Sequence, residues 1–449
     1  MGVDYRIGSR YLQIQESKLH RRTILMFSKI RTLHLRARNF VQRQPANFKL
    51  MLVRRPLHGL ALNLSVQYNS IYATLLGANP VQLGSLQSAG NAVGAVVAFF
   101  AGWFIDRNSL KKTFLGSTIL LVAAALLFAI APHWGFLFAA MILMRVGIRT
   151  TCTCCTVNGA RELANQERAT GRGVCQTLTS VVAVVTPLIA AWLVSVSGGV
   201  AIKGIRPLYF CQMAIFIGLF FLLLLRFREP QAAEQRRQIS LFAGVGQILK
   251  GNPAAVRFLI MIALMEVPWT MVKPFMPLFA HQVKGADAFI LGALGTVSFL
   301  VPFVLAIPFG RLADRLGRKK ILLALAPLTY LSNVLLILAP GPKMLLVAGF
   351  FFGFYSISTA VVNAMAAEMV PKEQMGRWIG IMSLVRGAFS IPFPMLAGGL
   401  WKAFDPIYVF VAAILIDLLF RIPLLLSVPE TLSSQGPPTA QSDNPCPAP

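Results

Sequence analysis

Acid is what this sequence has least of. Sixteen Asp and Glu stand against forty-two Lys and Arg in 449 residues, and charged residues of both signs make up only 13% of the chain. Soluble domains carry about 25% charged residues, so composition excludes an ordinary soluble fold. Histidine is scarce, at five, and the six cysteines form no spaced framework. Cys152, Cys154 and Cys155 crowd one apolar segment, Thr-Thr-Cys-Thr-Cys-Cys-Thr, which holds no His and reads as small residues for close helix packing rather than a metal site. Neither a metal nor a disulfide scaffold is expected. A Gly-x4-Gly-Lys-Ser/Thr phosphate loop is missing, which argues against ATP drive within the chain. The sequence also offers no nucleophile–base or metal constellation, so an enzyme is not expected, nor any cofactor.

What fills the chain is apolar sequence, 56% hydrophobic with a mean hydropathy of +0.66. Twelve apolar segments, each near the roughly 20 residues that cross a hydrocarbon core, are predicted at residues 57–77, 83–105, 114–131, 134–157, 174–196, 205–226, 257–280, 288–309, 321–339, 343–366, 378–401 and 406–427. The predicted fold class is therefore an all-α polytopic membrane protein. A net charge of +26 raises the question of nucleic acid, but the basic residues sit in short loops between spans, where topology accounts for them. Loops after the even-numbered segments carry nineteen Lys/Arg, and those on the other side only Lys203, Arg206, Lys284, Lys343 and Lys402. That asymmetry predicts that both termini and the basic loops face the cytoplasm of a cell with a plasma or inner membrane.

The most informative stretch is Gly310-Arg-Leu-Ala-Asp314-Arg315-Leu-Gly317-Arg318-Lys319-Lys320. A shift of 208 positions superposes it on Gly102-Trp-Phe-Ile-Asp106-Arg107-Asn-Ser-Leu-Lys111-Lys112. A second element repeats as well. Glu162, Glu167 and Gly171-Arg172 follow the fourth segment; Glu368, Glu373 and Gly376-Arg377 follow the tenth. Two copies of one membrane unit are implied, as six-helix bundles at 57–226 and 257–427 joined by a polar linker, 227–256. Residues 239–249 of the linker are predicted to lie along the inner surface. Residues 1–56 hold thirteen Lys/Arg against Asp4 and Glu16. They read as a basic cytoplasmic extension, either a surface-binding helix, a targeting segment, or a dispensable piece before a start at Met26 or Met51. The tail 428–449, rich in Pro, Ser and Gln, is expected to be disordered.

Six helices, a linker, six more, and Gly-x3-Asp-Arg-x3-Lys-Lys after helices 2 and 8 resemble the major facilitator superfamily over residues 57–427. That resemblance implies alternating access, with the two loops as gates. Gly102 and Gly310 would allow close helix approach. Asp106 would latch against the start of helix 11 near Trp378, and Asp314 against the start of helix 5 near Val174. Arg107 and Arg315 would complete a charge relay with Glu162 and Glu368, with Lys111, Arg318 and Lys319 in the same loops. Arg145 matches a helix-4 arginine associated with proton coupling in family exporters, and Arg149 stands where they carry glycine. On helix 5, Pro187 of an exporter motif is present, preceded by Thr186 rather than glycine.

Ionisable residues inside a span are costly and read as functional. Glu266 on helix 7 is the preferred proton site, with Arg145; a static ion pair with Lys273 or Arg145 is its competing reading. Pro268, Pro274 and Pro277 are predicted to break that helix. Asn63 and Gln67 on helix 1, Gln87 and Asn91 on helix 2, and Arg149, Lys273 and Arg386 are the candidate substrate contacts. Asp417 and Arg421, four apart on helix 12, read as a structural pair. The expected function is a monomeric secondary transporter of small organic solutes, proton-coupled and exporting. The second reading is an organic-anion transporter or uptake permease with an arginine-lined cavity, and the third a membrane sensor on the same fold that moves no solute.

Overall fold

The computed structural model describes residues 39–164, 167–229, 253–370 and 375–430; the side chains of Phe99, Gly102, Trp103, Asp106, Ala169, Gly376 and Arg377 lie outside that description. The linker segment 239–249 and the tail beyond residue 430 are likewise outside it. Twelve helical spans follow in order. In the first half α1 comprises Ala46–Ser65 and Asn69–Leu75, followed by α2 (Pro80–Arg107), α3 (Leu110–Ile130), α4 (Phe136–Glu162), α5 (Arg168–Val196) and α6 (Ile202–Arg226). The second half holds α7 (Pro253–Gln282), α8 (Ala288–Leu316), α9 (Arg318–Leu338) and α10 (Leu345–Phe352 and Phe354–Glu368). It ends with α11 (Met375–Ser390 and Pro392–Ala403) and α12 (Ile407–Ile416 and Ile422–Ser427, joined by a π turn, Asp417–Arg421). Ten helical stretches, from α3 onward, are long and apolar enough to cross a membrane.

Local chemistry sets several helix starts. Asn79 and Gln82 form a reciprocal capping box at α2, with Pro80 in the first turn. Asp287 caps α8 by accepting from Ile290 N–H at 2.8 Å. The first span begins at Ala46 rather than residue 57, so 46–56 belongs to the bundle and not to a separate extension. Hydropathy hides this because Lys49, Arg54 and Arg55 lie there. Arg54 is nevertheless fully buried, its guanidinium 4.5 Å from the Phe114 ring centroid and donating to Cys155 Sγ.

The expected break in α7 does not occur. The helix runs unbroken through Pro268, Pro274 and Pro277. Tyr355 Oη donates to Met265 O at 3.1 Å and Thr270 Oγ1 to Glu266 O at 3.0 Å, side-chain bonds made within this proline-bearing stretch. Breaks occur instead at residues 66–68 of α1, at Gly353 in α10 and at Ile391 in α11. On α12, Arg421 pairs with Asp417 across the π turn, and Tyr330 Oη donates to the same carboxylate at 2.6 Å. This charge pair is closed within the second half.

The halves meet at the end away from the Asp-Arg loops. There α2 and α11 approach so closely that a Cβ on Gly84 would fall 2.2 Å from Pro394 O, and one on Gly398 2.2 Å from Pro80 O. Lipid supplies no hydrophobic drive between helices, so such small-residue contact is what holds them. Tyr68 Oη adds a bond to Ala288 O at 3.0 Å. Toward the other end the halves part: Arg149, Cys152 and Thr156 on α4, and Ser356, Ala360 and Asn363 on α10, are exposed along single helix faces. This conformer is open at the end that bears the basic loops.

A side chain at Gly398 has no room unless α2 and α11 separate. Gly398→Val is expected to deplete the open conformer, read as at least fivefold slower modification of Cys152 by a membrane-impermeant maleimide, followed by mass spectrometry. An unchanged rate would show that this contact does not hold the conformer.

Candidate functional site: a central cavity and two paired loops

Between the halves lies a cavity of about 550 Å³, within the range of about 300–1,000 Å³ usual for small-molecule sites. Asn63, Gln67, Gln87, Asn91, Arg145, Arg149, Glu266 and Lys273 all lie on its wall. Sequence spacing on four separate helices thus converges on one space. Arg386 is set apart from the wall. Its Nη2 donates to Asn363 Oδ1 on α10 at 3.1 Å, and it acts on the charge of Glu266 together with Lys273 and Arg149.

The two arginines of α4 rest on a shelf that spacing within α4 alone does not reveal. A Cβ on Gly90 would meet Met141 Cγ at 2.9 Å and Arg145 Nε at 3.1 Å; one on Gly94 would meet Arg149 Nε at 3.3 Å. Gly90-x3-Gly94 on α2 therefore matches Arg145-x3-Arg149 on α4, turn for turn. Arg145 Nη2 also donates to Gln87 Oε1 at 3.2 Å. Asn91 donates to Ser390 O at 2.8 Å, so its amide is partly committed to joining α2 and α11. Across the cavity Trp269 is stacked against Tyr355 (4.3 Å, 6°) and Phe352 (5.1 Å, 14°), with Lys273 Nζ 4.9 Å from the Trp269 ring. The first half supplies amides and guanidinium groups, the second an aromatic wall with one acid and one amine.

The paired loops carry a bond pattern partly different from the expected one. Arg318, not Arg315, reaches Glu368, at 2.7 Å, and it also lies 3.5 Å from Asp314. Arg315 and Asp314 are exposed, since the loop's last turn directs them away from the bundle. Glu162 accepts from Asn47 Nδ2 at 2.7 Å. Arg107 is exposed, while the roles expected of Gly102 and Asp106 rest on surroundings outside the description. Gly310 faces open space, so the close packing expected of it is not realised here.

Two acids missed in the sequence organise these loops. Glu229, just past α6, accepts from Ser109 Oγ and from the backbone N–H groups of Leu110 and Lys111, at 2.8 and 3.0 Å. Glu430, just past α12, accepts from the N–H groups of Arg318 and Lys319, at 3.0 and 3.1 Å. Each carboxylate thus caps the N-terminus of the third helix of its half. Lys319 Nζ returns the contact by donating to Val428 O at 2.9 Å. Gly317 is required beside Glu430, because its φ of +102° is left-handed and a Cβ would meet Glu430 Oε2 at 2.6 Å. The available signal was that each acid follows the last helix of a half.

Two pseudo-symmetric six-helix bundles around a polar cavity, with matching capped loops on one side, define a membrane transporter rather than an enzyme. The chain belongs to the Major Facilitator Superfamily, whose sequence profile matches residues 57–292 and 258–448. It is 22% identical to Multidrug resistance protein 2 of Bacillus subtilis (strain 168) over 365 residues, 80% of this chain and 89% of that one. It is 23% identical to Multidrug resistance protein MdtG of Enterobacter lignolyticus (strain SCF1) over 308 residues, 66% of this chain and 71% of the relative. Among solved structures, the nucleoside transporter NupG in a mutant form superposes with a TM-score of 0.74 at 13% identity, covering 84% of this chain and 99% of that one. A bacterial homolog of the human lysosomal transporter Spinster, inward-facing and unoccupied, gives 0.66 at 14%, covering 90% and 99%. The fold is shared at these identities.

The Glu229 cap is open to test by pH as well as by substitution. Burial opposes its ionisation, but the bonds from Ser109, Lys111 and Leu110 and the nearby Arg161 charge hold its carboxyl below the ordinary glutamate value. Its stabilising contribution is complete above the unfolded value of about 4.3 and fades as pH falls through the lower folded value. Glu229→Ala is expected to cost about 1 kcal/mol, seen as a lower melting temperature at pH 7 and a smaller difference from the parent at the acid end. Equal melting at pH 7 would show that α3 does not need the cap.

Proposed function

We propose that this chain is a secondary active transporter that exports small organic compounds in exchange for protons, by alternating access, from a membrane with both termini on the cytoplasmic side. The observation that carries the proton reading is Glu266, the one carboxylate on the cavity wall among the described residues. A membrane-embedded acid facing a water-filled space is the usual element of a proton path. Its neighbours Arg386, Lys273 and Arg149 come from both halves, so a rocking of the halves changes the charge around it and with it the ease of protonation. Export is supported by the relatives named as multidrug resistance proteins, and cytoplasmic placement of the basic loops by the excess of Lys and Arg on that side. On this reading the conformer is inward-open, the loops are released gates, and Asp106 and Asp314 latch in the opposite state. The working unit is a monomer.

Glu266→Gln is expected to abolish pH-driven flux in proteoliposomes while leaving substrate exchange within about twofold. Normal pH drive in the variant would remove Glu266 as the proton site. Asp106→Asn is expected to reduce transport at least tenfold with membrane insertion intact, and full flux would remove the latch assignment.

A further inference from the structure

The two arginines on α4 are the least compensated charges in the cavity. They lie one helical turn apart on the same face, and among the described residues neither has a carboxylate within ion-pair distance. Glu266, the only acid on the wall among the described residues, is under the charges of Arg386, Lys273 and Arg149 together, so one carboxylate is divided among three cations. Arg145 has a neutral partner, the Gln87 amide oxygen. Arg149 is exposed to the open space. Such a pair repels itself and, inside a bilayer, calls for an anion to complete it.

The pair is also built into position. Gly90 and Gly94 give the guanidinium stems a flat bed, and larger residues there would displace both. Two guanidinium groups one turn apart on one helix face suit an acid group with several oxygens, which can accept from both. Next to them the wall turns apolar through Met141, Met144 and Ile148, and it faces Phe299 and Phe352 from the other half. A charged head and an apolar body are therefore accommodated side by side.

We propose that the transported compound is an amphipathic organic anion, with its carboxylate, sulfonate or phosphate group clasped by Arg145 and Arg149 and its apolar body between the methionine side and Phe352. This rests on reading the chain as a transporter, and it names the substrate class of that same cavity. Arg149 is the specificity-determining residue of the pair, because it is exposed to the open space, while Arg145 also donates to Gln87. Glu266 lies on α7 and not on α4, so a bound anion and a proton are held by different groups of the wall.

The test measures binding without any gradient, using the purified full-length protein in lipid nanodiscs. Three probes of one shape are compared by thermal shift and calorimetry: 2-naphthoate, its neutral amide, and the 2-naphthylmethylammonium cation. Naphthoate is expected to bind at least tenfold more tightly than the amide, and the cation more weakly still. Arg149→Gln brings naphthoate to within about twofold of the amide, and Arg149→Lys restores part of the preference. Equal binding of acid and amide, absence of naphthoate binding, or an undiminished preference in both Arg149→Gln and Arg145→Gln overturns the assignment. Failure of the proton reading shows separately, as pH-driven flux that survives Glu266→Gln.

Discussion

A guanidinium inside a bilayer must reach water, a counter-charge or an aromatic face, and most of this structure follows from how that demand is met at a few positions. Arg54 meets it in part, with the Phe114 ring and Cys155 inside the first half, its Nε and Nη2 having no hydrogen-bond partner among the described residues. Arg421 meets it with Asp417 across a π turn, inside the second. Arg145 and Arg149 meet it only by facing the cavity. Their need for an open polar space draws the stripes of α1 and α2 to the same place, since Asn63, Gln67 and Gln87 would be penalised against lipid. The cavity is thus the common solution to several separate solvation problems.

How much of this was legible in the sequence depended on whether a signal lay within one helix or between two. Stripes and pairs on a single helix were readable: Asn63 with Gln67, Arg145 with Arg149, and Asp417 with Arg421 each fall where helical spacing placed them. Relations between distant segments were not. Gly90 and Gly94 look like ordinary small residues until Arg145 and Arg149 are laid across them. Arg318 and Arg315 are equally plausible partners for Glu368 in the sequence, and only the direction of the chain at Gly317 decides between them. Proline was misleading in α7, where the helix continues through all three. The start of α1 was hidden because an average over Lys49, Arg54 and Arg55 lowers hydropathy, while burial depends on what each one touches.

The two halves share a plan and have diverged in content. Both place an acid after their last helix and use it to cap their third, yet the loop position occupied by Gly317 in one is Ser109 in the other. Ser109 donates directly to the cap; Gly317 makes room for it. Around the cavity the difference is larger. One half brings cations and amides, the other a stacked Phe352–Trp269–Tyr355 wall. A duplicated unit of this kind yields a two-faced site without any new fold, because each copy needs to supply only one kind of surface.

The brackets formed by Glu229 and Glu430 have one more consequence. Each joins the end of a half to a helix near its own beginning, and neither reaches across to the other half. In each half the run from the third helix to the end of the sixth is therefore closed on itself, at the side where this conformer is open. The glycine seam between α2 and α11 lies at the opposite end, so a tilt of the halves about it would leave both brackets intact, much as a clothes-peg pivots without deforming its arms.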